Sequence, residues 1–437
     1  MRFTVKFNTL FRRALPMPRP MTRRDVLQAS LAGGAILALP AAAYRAAFAG
    51  TAPSETIRLG FIGVGAQGTA NMKAFLKLST ASVVALSDVD AKRLSTATGE
   101  VEKATTKAPA GHADYRKLLD DKTIDAVVVG TPDHWHALNT IDSCKAGKDV
   151  YCEKPLSLTV AEGRAMVTAA EAGQRVVQTG SQQRSGSEFR TACELVRAGA
   201  VGKVHTVKVG LPGPNFKGPP VKDAQAPAEL DYDRWLGPAP ARAYNEKRVH
   251  YLFRFFWDYS GGQQTNFGAH HYDIAQWGLG KDSTGPVSVR AKARFHKDGW
   301  YEVPEWTEIE YLYADGVKML GGQGFAQGTE FIGDKGSLFV TRGSFKTSPV
   351  ELKEMKIAEG LPKSPGHHAN WLACIKSRSA PIADISIGHR SATVCHLGNI
   401  AVRTGKTIRW NPETETIVDD AESAKLLTKE YRSPWKL

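Results

Sequence analysis

Residues 57–68 read IRLGFIGVGAQG, an apolar run that enters a turn of three spaced glycines, Gly63, Gly65 and Gly68. The next stretch, QGTANMKAFLKL (67–78), has helical periodicity. A strand that ends in such a turn and opens a helix gathers backbone N–H groups and the positive end of the helix at one point, which suits a phosphate. Gly63 makes the tight turn, Gly65 lets a pyrophosphate approach the backbone, and Gly68 lets the helix pack close to its strand. Asp88 closes a second apolar run, ASVVALSDVD (81–90). A carboxylate there accepts hydrogen bonds from ribose hydroxyls and repels a 2′-phosphate, which favours NAD. Lys92 and Arg93 stand close enough in sequence to leave NADP open.

The same alternation continues outward. A polar helix is read near 91–104, a strand in IDAVVVGTP (124–132) and a helix in DHWHALNTIDSCKAGK (133–148). DVYCEKP (149–155) and RVVQTGSQ (175–182) are further strands, flanking a helix near 160–173. Strands alternating with helices, rich in β-branched residues, predict a parallel doubly wound sheet. Beyond about residue 182 the texture changes. A helix near 186–199 precedes the strand KVHTVKVGL (203–211), and a proline-rich stretch runs over 212–245. A loop that long in a compact chain is usually functional. The runs at 287–295, 305–323 and 336–344 alternate like antiparallel strands with one solvated face, and helices return at 367–377 and 388–404. We divide the chain into 1–49, a dinucleotide-binding domain at 50–182 and an α/β substrate and oligomerisation domain at 183–437.

Residues 1–49 carry eight Lys or Arg against one acid, Asp25, and so supply +7 of the +13 formal charge. The remaining +6 is mild, contains no basic tract and does not indicate nucleic-acid binding. This segment has a basic start with paired Arg23-Arg24, a modest apolar run broken by glycines and Pro40, and Ala47-Phe48-Ala49 before Gly50. It resembles a twin-arginine export signal with a cleavage site. Met17 and Met21 are alternative starts. The apolar run is too short and too broken to span a membrane comfortably, and no later segment looks transmembrane. The five cysteines (Cys144, Cys152, Cys193, Cys374 and Cys395) have no metal-binding spacing and read as small buried side chains.

Three further stretches carry candidate chemistry. TPDHWH (131–136) sits where doubly wound sheets bind ligands; Thr131 and Asp133 can also cap the following helix. EKP (153–155) ends a buried strand in a carboxylate, an ammonium and a proline, which aims Lys154 into the crevice. Burial and a nearby positive ring both lower an ammonium pKa, and that suits acid–base work. The plain alternative is a surface ion pair. In NFGAHHYD (266–273), helical spacing puts Asn266 and His270 on one face and Asp273 next to His270, where it could orient the imidazole. A metal is the rival, but His270, His271 and Asp273 are too close in sequence to converge easily, and we expect none.

Glycine fingerprint, acidic residue, T-P-x-x-x-H, E-K-P and a later G-x-H-x-x-D together resemble the glucose-fructose oxidoreductase, inositol dehydrogenase and rhizopine-catabolism (Gfo/Idh/MocA) family over about 57–410. The resemblance implies a Rossmann domain followed by an α/β domain with an open, mainly antiparallel sheet. It implies NAD or NADP, and hydride transfer to or from a sugar, inositol or related polyol. Lys154 matches the family's catalytic lysine and His270 its catalytic histidine. Gly63, Gly65, Gly68, Asp88, Thr131, Pro132, His136, Glu153 and Lys154 fall at cofactor contacts. Arg184, with Gln182 and Gln183, and Tyr259, Asn266, His270, His271 and Asp273 fall on the substrate side. Many members carry Asp where Asn266 stands. Asn cannot titrate, so Lys154 and His270 are left to move the proton.

The expected protein is an exported, periplasmic enzyme with tightly bound NAD, loaded before passage through the twin-arginine translocase and regenerated in place. Three readings follow: an oxidoreductase on sugar or polyol hydroxyls; a redox-neutral glycosidase, lyase or epimerase that oxidises transiently and returns the hydride; and a non-catalytic sugar-binding protein with structural NAD. A homo-oligomer is expected by family analogy.

Overall fold

A computed structural model describes residues 56–216, 218–358 and 360–437. The export signal read at 1–49 lies outside them. The first sheet has six strands, β1 (Ile57–Ile62), β2 (Ala81–Ser87), β3 (Ala110–His112), β4 (Ala126–Val129), β5 (Asp149–Cys152) and β6 (Val177–Thr179), in the order β3-β2-β1-β4-β5-β6. All its pairs are parallel. Between the strands run α1 (Ala66–Phe75), α2 (Ala91–Thr105), α3 (Tyr115–Asp120), α4 (Asp133–Lys145) and α5 (Val160–Gly173).

Helices on both faces explain the continuous apolar strands. Ile57, Leu59, Phe61 and Val128 face Met72 and Phe75 of α1, while Ile62, Val127, Val129 and Val150 face Leu138 and Ile141 of α4 and Met166 of α5. Starts are set locally: Asp90 accepts from Lys92 N and Arg93 N to begin α2, and Thr159 with Glu162 forms a capping box on α5. The strand order reverses between β1 and β4, so a crevice opens there at the carboxyl ends of the strands.

The second half holds α6 (Ser187–Arg197), β7 (Val204–Gly210), α7 (Tyr232–Leu236), α8 (Gly262–Asn266) and α9 (Gly268–Gly278). Strands β8 (Ser288–Phe295), β9 (Pro304–Leu312), β10 (Lys318–Gly322), β11 (Gly328–Gly333), β12 (Gly336–Thr341) and β13 (Ser344–Ser348) follow. The chain closes with α10 (His367–Ser377), α11 (Ile385–Thr404), β14 (Ile408–Asn411) and β15 (Thr416–Ile417), before a short last helix and tail. The nine strands run β13-β12-β11-β7-β10-β9-β8-β14-β15 and are antiparallel except β7 with β10. The run read at 305–323 turns at Gly316 (φ 85°) and becomes the hairpin β9–β10. One face of this sheet is covered by α6, α9 and α11; the other carries charge ladders such as Lys292–Glu308 and Arg290–Glu310.

Two crossings tie the halves together. Trp371, Leu372 and Ile375 of α10 enter the core beside Phe61 and Phe75, and Ile385 and Ala392 of α11 enter the core on the opposite face of the first sheet. In the other crossing, the segment after Pro212 is stitched onto the edge of the crevice. Ala91 N donates to Glu229 O (2.8 Å) and Asp231 N to Val89 O (2.9 Å). His134 Nε2 and Trp135 Nε1 both meet Trp235 O at 3.0 Å. No helix among the described residues is long and apolar enough to cross a membrane.

Candidate active site

The glycine turn has three different physical requirements. Gly63 has φ 82°, and a Cβ on it would lie 2.7 Å from Thr131 N. A Cβ on Gly68 would lie 2.0 Å from Gly63 O, so only glycine lets α1 sit this close to β1. At Gly65 a Cβ would meet only the tip of Arg93, at 3.1 Å. The protein's own packing therefore does not demand glycine at 65, whereas a pyrophosphate lying against the backbone does. Asp88 ties this turn to β2 by accepting from Val64 N (2.8 Å) and Asp90 N (3.0 Å). Each oxygen keeps a lone pair for a ribose hydroxyl. Burial pushes the Asp88 carboxyl up, while those two N–H groups pull the other way. Of the two residues that left NADP open, Lys92 and Arg93, the second is engaged by Asp90 (3.2 Å).

Pro132 is the N-cap of α4 at the mouth of the crevice, and neither Thr131 nor Asp133 caps it as the sequence suggested, since Thr131 Oγ1 donates to Asn139 Oδ1 (3.0 Å). Asp133 is buried, takes the Ser260 hydroxyl at 2.5 Å, and is pushed up by burial. His136 is clamped: Nδ1 lies 2.7 Å from Pro155 O and Nε2 3.0 Å from Thr131 O. Both oxygens only accept, and a neutral imidazole has one N–H, so satisfying both requires the imidazolium. Burial opposes that charge, but Cys152, Asp133 and the Pro155 carbonyl overcome it and raise the pKa to about 10. His136 is thus a positioning group that holds the turn carrying Lys154.

Glu153 is buried and accepts four hydrogen bonds, from Gln67 (3.1 Å), Asn71 (2.9 Å), Gln182 (3.0 Å) and Lys154 N (3.2 Å). It therefore acts as a knot between α1, β5 and the loop after β6, and it is not an ion-pair partner on the surface. Lys154 Nζ crosses to the second half of the chain and donates to Asn266 O (3.0 Å) and Asn266 Oδ1 (2.8 Å). Asn266 Nδ2 is fixed in turn by Gln263 Oε1 (2.9 Å). Burial lowers the Lys154 pKa to about 8, helped by the positive Arg254 and Arg342. His270 is buried and Nδ1 has no protein partner. Burial, then Lys154 and Arg342, hold it well below the ordinary value, so it stays neutral at neutral pH. His271 is buried beside it, stacked on Phe267 at 6.4 Å. Asn266 and His270 belong to different helices, because the chain kinks at Phe267 between α8 and α9.

Two expected site residues go elsewhere. Asp273 does not orient His270: it pairs with Arg184 Nε (2.8 Å) and accepts from Ser391 (2.6 Å), fully buried. Arg184 also reaches Asp282 (2.7 Å), so both of these charges are consumed in tying α9 to α11 and to the loop after β6. Tyr259 lies in an aromatic cluster, edge-on to Trp235 and 5.1 Å from His134, behind the crevice wall.

The crevice encloses about 460 Å³ and joins Gly63, Gly65, Asp88, Thr131, Pro132, His136, Glu153 and Lys154 in one lining. Its outer wall comes from residues that pattern reading did not single out: Arg234 and Trp235, His250, Tyr251, Phe253 and Arg254, and Trp435 from the tail. The sequence signal for all of them but Trp435 was the aromatic and proline-rich segment 212–260, which as a whole reads as shaping the pocket or an oligomer contact. Among the described residues no three metal-binding side chains converge.

The model of an oxidoreductase family's NAD-binding Rossmann fold matches residues 57–181, and that of the same family's C-terminal α/β domain matches 214–437. The chain belongs to the Gfo/Idh/MocA oxidoreductase family. Among its relatives, myo-inositol 2-dehydrogenase of Thermotoga maritima is 32% identical over 183 residues, 41% of this chain and 49% of that one. The alpha-N-acetylgalactosaminidase of Shewanella oneidensis is 32% identical over 154 residues, 34% of each chain. The chain thus spans about a third to a half of the length of these relatives. In fold it is similar to the aldose-aldose oxidoreductase from Caulobacter crescentus, at TM-score 0.61 and 20% identity, with 81% of this chain and 99% of that one covered. NAD fits the glycine turn and Asp88, and when bound it accepts or returns a hydride. The protein's own part is to hold Lys154 through Asn266 and to keep His270 neutral, with Trp235 and Phe253 lining the crevice.

Proposed function

We propose that the protein moves a hydride between its bound NAD and a hydroxyl-bearing carbon of a sugar or polyol. The observation that carries this is the Lys154–Asn266 contact, which brings an amine titrating near neutrality to the cofactor crevice beside the neutral His270. Lys154 takes the hydroxyl proton on oxidation and gives it back on reduction, while His270 hydrogen-bonds the same hydroxyl. We further propose that the cofactor is retained. The stitched segment walls the crevice with Trp235, Phe253 and Arg254, and retention agrees with the export we propose from residues 1–49, to a compartment without a free nicotinamide pool. Retention requires the hydride to be returned.

A second reading follows from retention and from the likeness to an alpha-N-acetylgalactosaminidase. Here the oxidation is transient, the acidified neighbouring C–H allows elimination, and the returned hydride makes the enzyme a redox-neutral glycosidase, lyase or epimerase. The deciding experiment uses protein lacking residues 1–49, dialysed and then denatured, with any released nucleotide identified by mass. Near-stoichiometric NAD(H) is expected; an empty protein that binds NAD weakly would sink the retention reading. Cleavage of a nitrophenyl glycoside by the loaded protein without net NADH would select the second reading.

A further inference from the structure

Nearly every arginine among the described residues lies against a carboxylate. Arg175, Arg254, Arg342 and Arg403 do not. Arg175 is spent on the carbonyls of Gly173 and Gly147, and Arg403 lies over Trp257. The other two flank the candidate site. Arg254 lines the crevice with Lys154, held over Tyr251 and Phe253 at 4.8 and 4.7 Å. Arg342, in the turn between β12 and β13, lies 5.8 Å over Phe267, the residue between Asn266 and the helix of His270. Both charges reach Lys154, and Arg342 also reaches His270 and His271.

The acids that could balance them are occupied, including Glu188, which accepts from Gly343 N (3.1 Å) next to Arg342. Glu153 already accepts four hydrogen bonds. Asp133 holds Ser260. Asp273 is consumed by Arg184. Position 266 is the neutral Asn. Guanidinium groups without a carboxylate, held by aromatic rings around a hydride-transfer site, suit an oxyanion by bidentate pairing. A neutral sugar hydroxyl can accept a hydrogen bond from them but leaves both charges unpaired.

We propose that the substrate is a sugar carrying an anionic group, a carboxylate or a phosphate ester, and that Arg254 and Arg342 select it. The inference rests on the carbohydrate reading above, since both arginines flank the same Lys154.

The test is calorimetric titration of the loaded protein with D-glucose, D-glucuronate and D-glucose 6-phosphate. At least one anion is expected to bind about tenfold or more tighter than glucose; the preferred one names the group. Arg342→Gln, on an exposed turn, is expected to erase most of that preference while leaving the bound nucleotide in place. Arg254→Gln should do the same. If Arg254→Gln instead loses nucleotide and keeps the preference, Arg254 belongs to the cofactor and its assignment here is overturned. Glucose binding as tightly as both anions would overturn this inference alone. Binding of none of the three would overturn the carbohydrate reading and this inference with it.

Discussion

Lys154 and His270 share surroundings that drive them to opposite protonation states. Burial disfavours charge on both, but Lys154 starts high and reaches about 8, whereas His270 is pushed far below neutrality. Lys154 is therefore the group that titrates. An ammonium cannot accept a proton, so the rate of substrate oxidation should rise with pH and level off above about 8. The reverse reduction should fall across the same range. Asn266→Asp puts a carboxylate on Nζ, favours the ammonium and should move the midpoint up by about one pH unit or more. Stopped-flow absorbance of the bound nucleotide reads this, and an unmoved midpoint would show that another group titrates. Lys154 and His270 were legible because each lies in a short motif at a predicted strand end or helix. Asp273 was misread for a physical reason. An acid one turn from a histidine looks like its orienter, and nothing local announces an arginine 89 positions away, at Arg184, that claims it.

At the scale of elements, the wall of the crevice depends on how the segment around α7 meets α4. Gly237 follows α7 with φ 50° and ψ −118°, a conformation reserved for glycine. A Cβ there would lie 2.0 Å from the Trp135 indole. Gly237→Ala should cost about 1–3 kcal/mol of stability and speed nucleotide loss, as read by thermal melting and by the dissociation rate of NAD from the loaded protein. A faster melt with unchanged dissociation would separate the wall from retention. The long proline-rich and aromatic stretch was recognisable as shaping either the pocket or an oligomer contact, but the choice between them was not, since its bonds to Val89, Ala91 and the side chains of His134 and Trp135 are long-range. Strands β3 and β11 and helix α3 escaped pattern reading because three to six residues carry too little periodicity.

For the whole molecule, the parallel doubly wound character of the first sheet was readable from alternation and the glycine turn, while its full strand order and the partition of the core were not. Trp371, Leu372, Ile375, Ile385 and Ala392 complete both faces of that sheet from far along the chain. The larger of these side chains contribute about 1.5–3 kcal/mol each by burial, so together they match about the whole stability of a typical domain. Residues 56–182 expressed alone should therefore show no cooperative melt, while residues 56–437 should melt in one transition by both calorimetry and tryptophan fluorescence. A cooperative melt of the short fragment would mean that the sheet closes its own core.

The same crossing bears on how the chain is made. A nascent polypeptide leaves the ribosome from its amino terminus, and domains made first usually fold first. Here the nucleotide-binding sheet and its own helices emerge early, but part of each apolar face stays uncovered until residues 371–392 have followed them out. For about half of synthesis it is a client in need of shielding, and its core is complete only near the end of translation.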